Sequence, residues 1–234
     1  MTAVSTAFVF PPPPTVTVPV DGSGNLFPVR RVFCVGRNYA EHAREMGDDP
    51  AREPPFFFTK PADAVRVSPV VMAYPTVTRD LHHEIELVVA LREGGKGIAA
   101  DRARSHVFGY AVGLDLTRRD LQAEAKQAGR PWDMAKGFDA SAPLSALLPA
   151  QRASDLRGRS ISLTVNGVQR QHGRLDDMIW SVDDIIAELS RLVELAAGDL
   201  IYTGTPAGVG PIVPGDVLHG RIDGIGELDL RMHA

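Results

Sequence analysis

The segment LHHEIELVVAL, residues 81–91, combines the pattern of a buried strand with two acidic side chains near its start. Side chains alternate between the two faces of a strand, so residues two apart point the same way. Ile85 and Leu87 therefore belong to one apolar face, while Glu84 and Glu86 share the other. Two like charges in apolar surroundings repel each other and lose hydration. A bound cation would remove this conflict.

A third acid, Asp115, lies near the end of another apolar segment, HVFGYAVGLDLT at 106–117, which predicts a second strand. Carboxylate oxygens in this number suit Mg²⁺ or Mn²⁺ and leave coordination positions for substrate oxygens and water. The residues alone leave an alternative open, in which Glu84, Glu86 and Asp115 lie at strand ends in water. Aspartate in particular is a common turn residue.

The other segments predict many strands and few helices. Strands are expected near residues 32–35, in the aromatic run FFFTK, in ISLTV and VQRQHG around an Asn-Gly turn, in DLIYTG, and in the tail. Helices are expected at 39–46, within RDLQAEAKQAG, and at 181–197 with Ser181 as its N-cap and Gly198 after its end. Because strand and helix do not alternate regularly, the pattern favours an α+β fold, rich in β-structure and built on a mixed or antiparallel sheet.

The first 29 residues differ in composition from the rest. Pro11–Pro14 predict a stiff polyproline segment, and TVTVPV, DGSGN and LFPV together predict a short hairpin. We therefore expect an N-terminal appendage at 1–29, packed on a main domain at 30–234. A length of 234 residues suits this arrangement.

Composition argues against several classes of protein. A net charge of −4 gives no electrostatic reason to bind nucleic acid. No apolar run approaches the ~20 residues of a membrane span, and the first residues lack the basic and apolar parts of a signal peptide. The single cysteine, Cys34, excludes an internal disulfide. We expect a cytoplasmic protein without a nucleic-acid or membrane partner.

Five motifs occur in a fitting order: CVGRNYAEHAREMG, HHEIEL, GLDLTRRDLQ, MAKGFD and LIYTGTPAGVGP. Together they resemble the fumarylacetoacetate hydrolase family over about residues 30–232. Small acylpyruvate hydrolases, and fumarylpyruvate hydrolases in particular, are the most similar subgroup. The resemblance implies a roll or barrel of mixed β-sheet with few flanking helices, and a homodimer.

The resemblance also implies a metal site and a base. Glu84, Glu86 and Asp115 would bind Mg²⁺ or Mn²⁺. His42 and Glu45 would form a pair that activates water, on a segment that closes over the substrate. These two residues lie three apart, on one face of the predicted helix. The residues alone favour an ordinary surface pair, and the resemblance reverses that preference.

Four further residues acquire roles through the resemblance. Lys136 would stabilise negative charge on the substrate, Arg119 and Gln122 would point towards the substrate, and Thr205 would donate a hydrogen bond to the substrate carboxylate. The residues alone are compatible with a solvated lysine, an exposed helix face and a glycine-rich turn. Arg118 is next to Arg119, and either arginine could face inward.

The implied activity is hydrolysis of the carbon–carbon bond in a 2,4-dioxo acid. Fumarylpyruvate, which would give fumarate and pyruvate in gentisate-type aromatic catabolism, is the preferred substrate. Alternatives are decarboxylation of oxaloacetate, isomerisation of the 2-hydroxyhepta-2,4-diene-1,7-dioate type, and non-catalytic binding of small dicarboxylates. The His42–Glu45 pair favours hydrolysis. The group that meets the distal carboxylate is left open among Arg118, Arg119, Lys126 and Arg130.

Overall fold

The computed structural model describes residues 8–45, 54–153 and 155–233, apart from the side chains of Ala43 and Glu45. In these ranges the strands are β1 (Thr17–Pro19), β2 (Leu26–Pro28), β3 (Arg31–Gly36), β4 (Phe56–Lys60), β5 (Val65–Val67), β6 (Val70–Ala73), β7 (Leu81–His83), β8 (Ile85–Leu91), β9 (Val107–Leu114), β10 (Thr117–Arg118), β11 (Ala142–Leu144), β12 (Leu148–Pro149), β13 (Ser160–Val165), β14 (Val168–Arg174), β15 (Asp199–Tyr202), β16 (Gly210–Ile212), β17 (Val217–Ile222) and β18 (Gly226–His233). The α-helices are α1 (Ala40–Glu45), α2 (Ala100–Ala103), α3 (Arg119–Gln127), α4 (Asp133–Lys136) and α5 (Val182–Leu192). None of the helices in the described ranges has the length and apolar character needed to cross a membrane.

The centre of the fold is an eight-stranded mixed sheet. Its order is β4-β3-β15-β8-β9-β11-β5, and β12 pairs with β9 beside this path. Strand β15 runs parallel to β3 and antiparallel to β8. A five-stranded sheet, β14-β13-β17-β18-β6, and a three-stranded sheet, β10-β7-β16, complete the main body. The predicted α+β class, rich in β-structure with few helices, is confirmed.

Strand β8 lies between two hydrophobic cores, and all seven of its residues are buried. Ile85 and Leu87 pack into the larger core, which also contains Ile186 of α5. Val88 and Ala90 point the other way, into a second core. The alternation predicted from the sequence is therefore present, and both faces of the strand are covered.

The prediction of one continuous strand over residues 81–91 was wrong at Glu84. Strand β7 ends just before this residue and β8 begins just after it. The two strands belong to different sheets. At the break the Glu84 carbonyl still accepts a hydrogen bond from the Asp115 N–H, at 2.8 Å, in register with the β8–β9 pairing. The next N–H, of Ile85, donates instead to the Gln171 side chain. The break places Glu84 at a corner between two sheets.

The predicted N-terminal hairpin is present as β1 and β2, which pair antiparallel. Val18 and Phe27 are buried in the second core together with Val32 and Cys34 of β3. The hairpin therefore packs on the main sheet through apolar contacts. The boundary at residue 29 between two structural units stays a prediction.

Helix α5 begins where the sequence indicates and ends earlier. Ser181 is its N-cap, and its hydroxyl accepts a hydrogen bond from the Asp184 N–H at 3.2 Å. The predicted end at residue 197 was wrong, since Val193 is extended and Leu195 pairs with Gly95 through two backbone hydrogen bonds. The bridge to Gly95 requires an extended chain, so the last predicted turn of the helix does not form.

Candidate active site

Three buried carboxylates converge where β8 begins and β9 ends. The pairing of Ile85 with Leu114 makes the residues just beyond them, Glu84 and Asp115, neighbours across the strands. Glu86 lies two residues further along and shares the side of Glu84. One carboxylate oxygen from each of the three acids lies within 4.8 Å of the others, and all three residues are buried. The fold thus brings together the acids that the sequence placed on separate strands.

Positive charges surround two of these acids. The Lys136 ammonium lies 2.7 Å from Oε2 of Glu84 and 2.8 Å from Oδ2 of Asp115. Arg119 donates a hydrogen bond to the other oxygen of Glu84. The Lys60 ammonium forms an ion pair with Oδ1 of Asp115, at 2.8 Å. Glu84 and Asp115 are therefore compensated by protein cations on both of their oxygens.

Glu86 has a different environment, since no cation among the described residues pairs with it. Its Oε2 accepts a hydrogen bond from the Gly204 N–H at 2.8 Å. Burial, with the negative charges of Asp115 and Glu84, raises the pKa of Glu86 well above its usual value. Burial also acts to raise the pKa of Glu84, but nearby positive charge, Lys136 foremost, outweighs burial and lowers that pKa. Glu86 is the acid on which charge is least compensated.

The chemistry of this donor set fits a divalent cation. Apart from its ion pair with Lys60, Oδ1 of Asp115 is buried and accepts no hydrogen bond from a described residue. Ionised Glu86 has no pairing cation among the described residues, and its pKa is raised. A bound cation would stabilise the buried Glu86 carboxylate, and hard oxygen ligands suit Mg²⁺ and Mn²⁺. The predicted cofactor therefore matches the residues present.

A cavity opens over the carboxylates. Every predicted site residue whose side chain is described lines it: His42, Glu84, Glu86, Asp115, Arg119, Gln122, Lys136 and Thr205. His42 lies on α1 and is 6% exposed. The side chain of Glu45 lies outside the described residues, so the His42–Glu45 pair stays a prediction.

The two neighbouring arginines point in different directions. Arg119 lines the cavity, and its Nη1 donates to Oε1 of Gln122 at 2.5 Å. The guanidinium of Arg118 instead lies 4.4 Å from the ring centroid of Phe138, and its Nη1 donates to the Met134 carbonyl. Arg119, with Gln122 held beside it, is the arginine that can reach a ligand above the carboxylates.

Lys60 is a residue of this site that the sequence argument missed. Its ammonium is buried, pairs with Asp115, and donates to the Leu116 carbonyl at 3.1 Å. A signal was available, because Phe56, Phe58 and Lys60 occupy alternate positions of one strand and share a face. The two phenylalanines line the cavity. A lysine in line with them is directed at the same interior.

The mouth of the cavity combines aromatic and basic side chains. Trp132 meets Phe56 edge to face, with ring centroids 5.3 Å apart, and the Arg37 guanidinium lies 5.5 Å from the centre of the Phe56 ring. Lys126 of α3 also lines the cavity. Arg130 lies beside the neighbouring aromatic groove. An anionic group extending from the carboxylates towards solvent would meet positive charge here.

Residues 31–233 match the family described as "Fumarylacetoacetate (FAA) hydrolase C-terminal". The chain belongs to the fumarylacetoacetate hydrolase family. The resemblance stated from the five sequence motifs is thereby confirmed, and the mixed-sheet architecture is that of the fumarylacetoacetate hydrolase fold.

Two relatives with the same sequence identity to this chain are named for different reactions. The mitochondrial oxaloacetate tautomerase FAHD1 of Mus musculus is 44% identical over 198 residues, which cover 84% of this chain and 88% of the relative. The fumarylpyruvate hydrolase of a Ralstonia species is 44% identical over 182 residues, which cover 78% of this chain and 94% of the relative. The chain is therefore a fumarylacetoacetate hydrolase family enzyme of the hydrolase or tautomerase type.

A solved structure in the family is similar over nearly the whole chain. The fumarylpyruvate hydrolase of Pseudomonas aeruginosa, crystallised in complex with Mn²⁺ and pyruvate, has a TM-score of 0.94 and 52% sequence identity. The similarity covers 97% of this chain and 99% of that one. That relative holds a divalent ion, the kind of cofactor that the three carboxylates of this chain can hold.

Proposed function

We propose that this protein hydrolyses the carbon–carbon bond of fumarylpyruvate and releases fumarate and pyruvate. The observation that carries the proposal is the similarity to the Pseudomonas aeruginosa fumarylpyruvate hydrolase over 97% of the chain. Because 97% of the chain is covered, this similarity has to include most of the β1–β2 hairpin. The match to the Mus musculus tautomerase is shorter and covers 84% of the chain. Pyruvate, a product of the proposed reaction, is the ligand in the Pseudomonas structure.

The polar groups of the cavity suit the pyruvoyl end of such a substrate. Lys136, Arg119 and Thr205 line the cavity with donors that can meet a carboxylate and a keto oxygen. A divalent cation held by the three carboxylates would supply Lewis-acid stabilisation of negative charge on the substrate. The distal carboxylate would extend towards Lys126 and the aromatic wall at the mouth.

His42 is the residue that we assign as general base. It is buried at the cavity, where a proton taken from water would produce a nucleophile next to the bound substrate. The water oxygen bonds to the C4 carbonyl carbon, and the bond between C3 and C4 then breaks with its electron pair moving to C3. This gives fumarate and the enolate of pyruvate, to which a proton returns at C3. Lys136 places positive charge beside the developing enolate.

Oxaloacetate tautomerisation is the second candidate, favoured by the 44% identity to the Mus musculus tautomerase. That reaction moves a proton between C3 and the C2 oxygen and needs no attacking water. The same cavity could bind oxaloacetate, because its C1 carboxylate and keto oxygen match those of fumarylpyruvate. The two candidates therefore differ in whether water attacks a second carbonyl carbon.

A substrate panel separates the candidates. The Mn²⁺-loaded protein is incubated with fumarylpyruvate, acetylpyruvate and the enol form of oxaloacetate, with a chelator-treated sample as control. We expect fumarate and pyruvate in equal amounts from the first substrate. A kcat/KM at least about tenfold above that for acetylpyruvate is expected, since one added ionic hydrogen bond contributes at least about 1.4 kcal/mol. Rapid loss of the enol without fumarate formation would favour the tautomerase, and carbon dioxide release would favour the decarboxylase.

A further inference from the structure

Gln171 is a buried polar residue that the proposed mechanism does not use. It lies on β14, the edge strand of the five-stranded sheet, and is the only buried residue of that strand. Its exposure is 0%. The side chain leaves its own sheet and enters the space between the β7–β8 junction and the loop that follows β15.

All four hydrogen-bonding positions of this amide are used. Oε1 of Gln171 accepts from the Ile85 N–H at 3.1 Å and from Nδ1 of His83 at 2.9 Å. Nε2 donates to Oγ1 of Thr205 and to the Pro206 carbonyl, both at 2.8 Å. A backbone N–H can only donate and a carbonyl can only accept, so the Ile85 and Pro206 contacts fix which end of the amide is which.

This orientation determines the role of the Thr205 hydroxyl. Because the Gln171 N–H donates to it, the Thr205 oxygen is an acceptor in that contact and its own proton has to point elsewhere. Among the residues described, none accepts a hydrogen bond from this hydroxyl, and Thr205 lines the cavity above the carboxylates. The free direction of the O–H is thus towards a ligand in the cavity.

The backbone keeps this arrangement in place before any ligand binds. Strand β14 and the loop after β15 touch closely, since a Cβ on Gly208 would lie 2.1 Å from the Arg170 carbonyl oxygen. A Cβ on Gly173 would likewise lie 2.8 Å from Cβ of Pro206. Gln171 lies at this contact, where its amide bonds Thr205 and Pro206 of the loop after β15.

We propose that Gln171 is a positioning residue that sets the Thr205 hydroxyl as a hydrogen-bond donor to the carboxylate of a pyruvoyl ligand. The inference rests on the proposed function in taking a pyruvoyl group as the ligand. If the hydroxyl instead donated to residue 171, it would present lone pairs to an anion and repel it. A donor that meets the carboxylate equally in the ground and transition states lowers KM and leaves kcat unchanged.

A double-mutant cycle tests this coupling through binding. Pyruvate affinity is measured calorimetrically on Mn²⁺-loaded protein for the parent, Gln171→Met, Thr205→Val and the double variant. Methionine keeps the length of the side chain and removes its N–H donors. In the protein that keeps Thr205, we expect Gln171→Met to weaken pyruvate binding about tenfold, as loss of one directed hydrogen bond does. In the Thr205→Val protein, the same change should weaken binding less than about twofold. The affinity for Mn²⁺ alone should be unchanged in all four proteins.

Equal losses in both backgrounds would assign Gln171 a merely structural role and overturn the proposal, as would no loss beside Thr205. Gln169→Met, on an exposed position of the same strand, is the matched control. Should Gln171→Met fail to fold, Gln171→Glu enters the same cycle. The second oxygen of the glutamate would accept the Thr205 proton. Its added charge affects pyruvate affinity in both the Thr205 and the Thr205→Val protein, so the test is the additional loss of affinity in the protein that keeps Thr205.

The cycle also separates this proposal from the proposed function. If the parent binds pyruvate with the expected coupling but does not cleave fumarylpyruvate, only the assigned reaction fails. If the parent turns over fumarylpyruvate without coupling between the two positions, only the role of Gln171 fails. Absence of pyruvate binding by the parent would contradict both.

Discussion

Replacing Glu86 by glutamine is expected to weaken Mn²⁺ binding at least about 100-fold, more than the loss of an outer-shell partner typically causes, and to abolish metal-dependent turnover. Glu86 is the acid best suited to this test because none of the described cations pairs with it. Its Oε2 accepts only the Gly204 N–H among the contacts of the described residues, and a glutamine oxygen can accept the same bond. Glu84→Ala should also abolish turnover, but it would remove one anionic partner of both Lys136 and Arg119. Calorimetric titration of the metal-free protein with Mn²⁺ measures the effect.

The same substitution should stabilise the metal-free protein at alkaline pH. The pKa of Glu86 is raised in the folded state by burial and by neighbouring Asp115 and Glu84. The folded protein therefore holds this proton more tightly than the unfolded chain does. The free energy of unfolding must then fall as pH rises from the ordinary glutamate value of 4.5 through the raised pKa. Glu86→Gln should lack this fall when thermal unfolding is followed in chelator at pH 5 and pH 8.

The matched control for this experiment is Glu227→Gln, the same change at an exposed position of β18. It should alter neither Mn²⁺ affinity nor turnover. A Glu86→Gln protein that binds Mn²⁺ within threefold of the parent would show that Glu86 does not ligate the ion.

His42→Ala is expected to reduce hydrolysis of fumarylpyruvate by about 10²- to 10⁴-fold, the usual contribution of a positioned general base. Binding of Mn²⁺ and pyruvate should stay close to that of the parent, because the three carboxylates and their cations are untouched. Steady-state kinetics and calorimetry on the same preparation separate these two effects. The predicted signature is a loss in kcat with intact ligand binding.

His219→Ala is a suitable control, since His219 is partly exposed on β17 and pairs with Asp229 away from the cavity. Its turnover should equal that of the parent. Hydrolysis by His42→Ala within threefold of the parental rate would remove His42 as the base. Parallel loss of Mn²⁺ binding would instead indicate that the substitution damages the site as a whole.

The three acids of the candidate metal site could be predicted because rules of local structure place them. Alternation along a strand puts Glu84 and Glu86 on one side, and the apolar strand before Asp115 brings this acid to the same end of the sheet. The sequence did not indicate that the ladder breaks at Glu84. The break coincides with a hydrogen bond from the Ile85 N–H to the side chain of Gln171, which is distant along the chain.

Lys60 and Gln171 were missed for the same physical reason. Each lies on a strand whose own sequence explains its local structure, and each acts on residues of another element. Lys60 pairs with Asp115, and Gln171 bonds Thr205 from a different sheet. Side-chain contacts between sheets follow from how the sheets pack, which periodicity within a segment does not encode.

Element boundaries show the same limit. The start of α5 was predictable from Ser181, since the cap is formed by residues three apart in the chain. Its end was not, because Leu195 pairs with Gly95, about a hundred positions earlier. The Asn166–Gly167 turn, in contrast, was predictable in full, as both residues have positive φ angles and join β13 directly to β14.

The proposed chemistry requires Glu84, Glu86 and Asp115 to hold one divalent ion beneath the substrate. Anomalous diffraction at the manganese edge, from crystals grown with Mn²⁺ and pyruvate, would locate that ion. We predict a single peak within about 2.5 Å of an oxygen from each of the three acids, with pyruvate beside it. A manganese peak elsewhere, or three carboxylates turned away from a common centre while pyruvate is bound, would show that these acids do not form the metal site.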